Sequence, residues 1–355
     1  MRVSANQVTG LRLVAMPFVG STLFGSLRTQ IVGVIVGTLI GLTDLVDGYL
    51  ARKHGPTVLG SLLDPVADKI FIVVCYGCFV SRGDIPWWVA AAIFSRELLV
   101  TVLRSSLELG GRRLPSSGLA KAKTWIQMIG FAFLVLIPIV GPSGLRLLFA
   151  IPLAFALLVV AIGQVFARRR WRGFEIAAAT LVPFVAVSFW GPTAAHVLLM
   201  VGVVFITWYS ALDYLAVGLR YLRGALPQRG LHWLRLAAGG LLPIVALALL
   251  ATGRVSTVTI IVLLSSVMAR GALDNFAAHR GVADFSWAAS LWAEAALLAA
   301  ALVFPAPGSA LALVAALIGV LETLRSLGQY LRAPTAERAA GAAAPSPVSS
   351  VRGTH

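Results

Sequence analysis

Asp44-Leu-Val-Asp47-Gly48-Tyr-Leu-Ala51-Arg52 and, eight positions later, Gly60-Ser-Leu-Leu-Asp64-Pro-Val-Ala-Asp68 set four carboxylates into an otherwise strongly apolar chain. If both stretches are helical, Asp44 and Asp47 stand three residues apart and Asp64 and Asp68 four apart, so each pair shares a face. Two such helices can close their acids around divalent cations. Uncompensated carboxylates are costly at bilayer depth and mark function by default. Hard oxygen ligands suit Mg²⁺ or Mn²⁺, whereas zinc would call for His or Cys.

Hydrophobic residues make up 59% of the 355 and charged residues only 12%, with a mean hydropathy of +0.89. Such a chain cannot present the polar surface of a soluble domain, which predicts an all-α, polytopic integral-membrane bundle. Apolar stretches centred near residues 20, 40, 70, 96, 131, 156, 182, 206, 243, 264, 295 and 319 give about 12 transmembrane helices. The distribution of basic residues tests that count, because a missed span would invert every later loop. One set of loops holds only Arg28, Arg82, Arg146 and Arg254. The other holds Arg52 and Lys53, Arg112 to Lys123, Arg168 to Arg172, Arg220 to Arg235, Arg280 and Arg332. The asymmetry predicts a bacterial-type cytoplasmic (inner) membrane protein with both termini and the carboxylate cluster on the cytoplasmic side.

The net charge of +15 is dispersed over many loops, so it reads as topology and attraction to anionic lipid, not as a nucleic-acid surface. Met1 to Asn6 leads into no short apolar core with a cleavage site, so no removed signal peptide is expected. Cys75 and Cys78 lie inside an apolar span with no second pair and no nearby His, which favours packing over a redox or zinc role.

Gly33, Gly37 and Gly41 recur at intervals of four and lead to Asp44, Gly48 and Ala51 along one ridge. Small residues at this spacing let helix backbones approach closely, for packing, for a ligand, or for both. Gly55-Pro56 should turn the chain, and Pro65 should sit in the first turn of the next helix. The Arg-rich stretch Arg220 to Arg235 suggests a boundary near 225, and the Ala/Pro/Ser-rich residues 333–355 read as a disordered tail.

The eight positions Asp44, Asp47, Gly48, Ala51, Arg52, Gly60, Asp64 and Asp68 match the signature of the CDP-alcohol phosphotransferase family. Within it the chain resembles the bacterial phosphatidylglycerophosphate synthases. The shared features are Asn6-Gln-Val-Thr9-Gly-Leu-Arg12 with Pro17, Leu63-Asp-Pro-Val-Ala-Asp-Lys69, Ser95-Arg96-Glu97, Arg104, and Lys121-Ala-Lys123-Thr124 with Gln127 and Met128. The stretch Trp208 to Leu215 resembles the family's last helix. Two features depart from the pattern. Residues 143–192 insert a helical hairpin and four more spans follow, and Ala120 replaces a glycine.

The resemblance implies that a hydroxyl attacks the β-phosphorus of CDP-diacylglycerol and displaces CMP. Asp44, Asp47, Asp64 and Asp68 would hold two ions, Mg²⁺ or Mn²⁺, about 3.5–4 Å apart, and Asp68 would act as general base. Gly48, Ala51, Arg52 and Gly60 would meet the CDP moiety. Arg96, Arg104, Lys121 and Lys123 would bind the acceptor's phosphate, which favours glycerol 3-phosphate over a neutral alcohol. Arg96, near mid-span, needs either a phosphate or an ion pair with Glu97 or another acid. Cardiolipin synthase, another acceptor alcohol and, remotely, a transporter are the alternatives; a homodimer is compatible with the resemblance.

This gives a catalytic domain over 1–225, a four-helix membrane domain of unknown role over 226–332, and the tail. A chain ending near Leu226 would hold every residue assigned to catalysis. Arg270, Asp274, Glu294 and Glu322 remain unassigned, with Arg270 and Asp274 expected to pair at i, i+4.

Overall fold

The computed structural model describes residues 5–54, 58–109, 127, 130–165, 172–223, 229–279 and 287–332. Within 44–54 and 58–62, which hold Asp44, Asp47, Gly48, Ala51, Arg52 and Gly60, it describes the backbone alone. Lys121, Lys123, the expected boundary at 224–228 and the tail lie outside the described residues.

All regular structure among the described residues is helical. In hydrocarbon each backbone N–H and C=O needs a partner within the chain, and a helix supplies one locally. The helices are α1 (Ala5–Thr22), α2 (Leu27–His54), α3 (Val58–Arg82), α4 (Trp87–Leu109), α5 (Pro142–Val165) and α6 (Arg172–Ser188). They continue with α7 (Pro192–Tyr209), α8 (Leu212–Arg223), α9 (Arg229–Ala251), α10 (Thr257–His279), α11 (Trp287–Val303) and α12 (Gly308–Arg332); residues 130–136 are helical as well. Among the described residues, five stretches are long and apolar enough to cross a bilayer: Pro142–Gly163, Pro192–Arg220, Gly230–Ala251, Thr257–Ala278 and Gly308–Gln329. Leu27–Ile40, Ala177–Ser188 and Trp287–Val303 are shorter apolar helices. The chain is an all-helical membrane protein.

Each expected span centre falls within a helix, but the first, near residue 20, lies in the last turn of α1. Hydropathy discounted Thr9 and Arg12, which are buried inside that helix. A second correction concerns Pro65. The helix resumes at Val58, so Pro65 is not in its first turn but two turns inside α3. Lacking an N–H, it gives the carbonyl of Ser61 no helical partner.

In lipid there is little hydrophobic drive between helices, so close approach at small residues holds the bundle together. A Cβ on Gly33 would fall 1.9 Å from Thr22 Oγ1, and one on Gly37 would touch Val19 and Phe131. The glycine ridge of α2 is thus a packing surface against α1. On its other side α1 meets α3, where Gly20 lies against Val74. Cys75 and Cys78 are free thiols buried in this core, as packing residues should be.

The C-terminal helices do not stand apart. α9 lies along α4, and α10 packs against both α3 and α4, while α11 and α12 close the far side. α5 and α6 pack on each other and, through α6, on α7. Arg82 donates to the carbonyl of Leu23, and the hydroxyls of Ser81 and Thr257 share a hydrogen bond, so the turns after α1, α3 and α9 gather at one end. The acids of α3 lie toward the other.

The expected Arg270–Asp274 pair does not form. Arg270 reaches across to Glu294 of α11, with Nη2 at 2.6 and 2.7 Å from the two carboxylate oxygens, and Asp274 pairs with Arg235 of α9. Both pairs are buried. In a low-dielectric interior each charge needs a partner directed into the bundle, and helix rotation supplied one on another helix. Glu322 pairs locally with Arg325 at 2.8 Å.

Candidate active site

Three helices build the site. α2 carries Asp44, Asp47, Gly48, Ala51 and Arg52 in its C-terminal part, and α3 carries Gly60, Asp64 and Asp68 in its N-terminal part. Residues 55–57, with the turn expected at Gly55-Pro56, separate the two helices in sequence and lie outside the described residues. α1 packs against both and brings side chains to the acids of α3.

Thr9 Oγ1 donates to Asp64 Oδ1 at 2.7 Å, and Arg12 Nη1 donates to Asp68 Oδ1 at 3.1 Å. Thr9 and Arg12 are three residues apart on α1 and the acids four apart on α3, so two matched helical faces meet rung by rung. Arg12 is 3% exposed and the Asp68 side chain 35%. The cation is buried and the carboxylate half-buried. These partners fix the carboxylate orientation, as outer-shell groups do for metal ligands. The resemblance gave Thr9 and Arg12 no role, although one signal was present: a buried arginine among apolar residues requires an acid.

The donor set suits a hard divalent cation. Asp64 and Asp68 offer carboxylate oxygens one turn apart, and two further acids lie on the backbone of α2. Among the described residues, which do not include the side chains of Asp44 and Asp47, no group of three His, Cys, Asp or Glu suited to a metal occurs.

Lys69, beside Asp68, donates to Thr101 Oγ1 of α4 at 2.5 Å, tying α3 to α4 one turn before Arg104. Arg96 is buried, and all three of its nitrogens donate within the protein: to Thr207 O at 3.0 Å, Glu97 Oε1 at 3.2 Å and Ser210 Oγ at 2.8 Å. Gln127 donates to Thr207 Oγ1 at 3.3 Å and accepts at its carbonyl from Tyr76 at 3.1 Å, so Arg96 belongs to a polar layer joining α3, α4 and α7. Arg104 differs. Its guanidinium lies over the Tyr214 ring of α8 at 5.5 Å, and its buried Nε has no hydrogen-bond partner among the described residues.

Thr9→Val removes the donor to Asp64. Metal affinity should fall about 10–100-fold, the usual effect of losing an outer-shell partner. Titrating Mn²⁺ into the purified variant and following binding by electron paramagnetic resonance checks this; unchanged affinity would make Thr9 a packing residue.

No solved structure matches the chain. A probable phosphatidylglycerophosphate synthase of Mycobacterium tuberculosis (strain CDC 1551 / Oshkosh) is 36% identical over 163 residues, 44% of this chain and 76% of that protein. The CDP-diacylglycerol–glycerol-3-phosphate 3-phosphatidyltransferase of Rickettsia bellii is 35% identical over 133 residues, 37% of this chain and 74% of that protein. An enzyme of the same name from Bacillus subtilis is 38% identical over 108 residues, 30% of this chain and 56% of that protein. The profile of the CDP-alcohol phosphatidyltransferase family matches residues 2–167, the part that contains every acid of the site, and with three-quarters of a 36%-identical relative covered the chain belongs to that family of enzymes.

Proposed function

We propose that this enzyme transfers a phosphatidyl group from CDP-diacylglycerol to glycerol 3-phosphate. The names of its relatives support the reaction, and the observation that carries the acceptor is Arg104. It is a cation with a buried, unpartnered Nε, on the helix that Lys69 ties to the acids of α3. A phosphate-bearing acceptor would supply what that nitrogen lacks.

In the step proposed, the acceptor hydroxyl oxygen attacks the β-phosphorus. The bond from that phosphorus to the oxygen bridging the two phosphates breaks, CMP leaves with that oxygen, and Asp68 takes the hydroxyl proton. Asp44, Asp47, Asp64 and Asp68 would hold Mg²⁺ or Mn²⁺, which when bound neutralises the diphosphate. Gly48, Ala51 and Gly60 leave room for the nucleotide, and Arg52 pairs with a phosphate. Arg104, Lys121 and Lys123 receive the acceptor phosphate. Arg96, whose nitrogens are committed to Thr207, Glu97 and Ser210, holds α4 in place for them. The basic loops put this end of the bundle in the cytoplasm, and about twelve helices cross the membrane.

The test is to incubate purified protein with CDP-diacylglycerol, Mg²⁺ and a panel of glycerol 3-phosphate, glycerol, inositol and phosphatidylglycerol, following CMP release and lipid product. Phosphatidylglycerophosphate should form. Cardiolipin made from phosphatidylglycerol would establish the sibling activity instead. Arg104→Gln should raise KM for glycerol 3-phosphate about 10–100-fold, the worth of a hydrogen bond to a charged group, and leave KM for CDP-diacylglycerol unchanged.

A further inference from the structure

The residues that follow Arg104 are held by the C-terminal half of the chain. Ser105 Oγ accepts from Arg235 Nη2 of α9 at 3.2 Å, and Ser106 Oγ shares a hydrogen bond with His232 Nδ1 at 2.8 Å. Both serines are completely buried, as is Arg235, and His232 is 3% exposed. Arg235 is braced from behind. The same Nη2 pairs with the Asp274 carboxylate of α10, the guanidinium lies 4.4 Å over the Trp287 ring of α11, and Trp287 Nε1 donates to Asp274 Oδ1 at 3.2 Å. One polar chain therefore runs from α11 through α10 and α9 into α4, and it ends beside Arg104.

Elsewhere the α4–α9 contact is mostly apolar. Cβ atoms on Gly239 and Gly240 would meet Leu98 and Leu99 at an ordinary 3.6 Å, with one hydrogen bond, Ser95 Oγ to the Gly240 carbonyl, at 2.8 Å. Packing of that kind suffices to join two helices in lipid. A buried arginine and its acid are an expensive addition to it, weak as stabilisers and strongly directional. Their position explains them: a displacement of about 1 Å in a substrate-positioning group can cost about 10²-fold in rate.

We propose that Arg235, held by Asp274, is a positioning residue for the acceptor site, and that the C-terminal helices are part of the transferase. This rests on the reading of Arg104 as the acceptor's phosphate ligand. α4 is gripped twice, by Lys69 at Thr101 on the side of the acids and by Arg235 and His232 at Ser105 and Ser106. The two grips fix the turn carrying Arg104 against the carboxylates of α3. A chain ending near Leu226 keeps every acid and loses the second grip.

The test uses the full chain in detergent or lipid. Ser105→Ala removes one acceptor of Arg235 and leaves the ion pair intact. KM for glycerol 3-phosphate should rise about tenfold, with kcat, KM for CDP-diacylglycerol and the melting temperature unchanged. The paired replacement Arg235→Met with Asp274→Leu leaves no lone charge to unfold the protein and should give the same selective rise. Arg104→Gln in parallel separates the two ideas. If Arg104→Gln raises the acceptor KM while Ser105→Ala and the paired variant do not, the inference falls and the acceptor reading stands. If Arg104→Gln moves nothing, the acceptor reading falls and takes the inference with it. Equal effects on both substrates, accompanied by a lower melting temperature, would make the network merely structural and overturn the proposal.

Discussion

Asp68→Asn is expected to lower turnover by about 10²–10⁴-fold, the range over which a positioned general base contributes, while the protein inserts and folds as before. The amide keeps an oxygen for Arg12, which binds Asp68 Oδ1 at 3.1 Å in the wild type, so the α1–α3 contact survives. What is lost is a carboxylate able to take the hydroxyl proton, from a side chain that is 35% exposed. CMP release under saturating substrates measures the effect, with thermal unfolding as the control for folding. Asp64→Asn should instead weaken metal binding, because that carboxylate is oriented by the neutral Thr9 hydroxyl. Wild-type turnover in Asp68→Asn would remove this residue from the mechanism.

The largest effect on stability is expected far from the chemistry, in Glu294→Gln. Glu294 and Arg270 are each inaccessible to solvent and joined by two hydrogen bonds from Nη2. Neutralising the acid leaves a buried guanidinium without a counter-charge: the amide keeps one oxygen for Nη2 but sets an NH₂ group against it in place of the other, and Ser290 Oγ, 2.7 Å from Nη1, is a neutral acceptor. Breaking a buried pair from one side costs about 3–5 kcal/mol. Thermal unfolding of the purified variant should show a correspondingly lower midpoint. The paired replacement Arg270→Met with Glu294→Leu should recover most of the loss, since no lone charge remains. If the single variant is as stable as the wild type, the pair is not a structural element of the α10–α11 contact.

The sequence was most legible where local spacing carries the meaning. Helical placement of the acids on α2 and α3, the glycine ridge facing a neighbour at Gly33 and Gly37, and the packed cysteines all follow from residues within a few turns of one another. Pairing was less legible. Arg270 and Asp274 stand at the spacing that makes ion pairs on a solvated helix, yet each turns to a different helix, because in an apolar interior the rotation of neighbouring helices decides which acid a cation meets. The same limit hid Thr9 and Arg12. They belong to the opening motif of the sequence, but only the packing of α1 against α3 shows that they hold Asp64 and Asp68. It also hid α9, whose Arg235 reads from sequence as one more basic loop residue and lies fully buried against α4.

The α5–α6 pair has a different consequence. Only 17% of the most apolar part of Pro142–Gly163 is buried, against 67% for that of Thr257–Ala278, and Leu147, Ile151, Phe155, Leu158 and Ile162 are exposed. Selection on these side chains comes from the partition between water and hydrocarbon, not from fit to a neighbour. Exchanges among Leu, Ile, Val and Phe should drift freely there, with shape left unread. Charge at the same positions is opposed during biosynthesis, when the segment first enters the bilayer and no folded bundle yet exists to be destabilised.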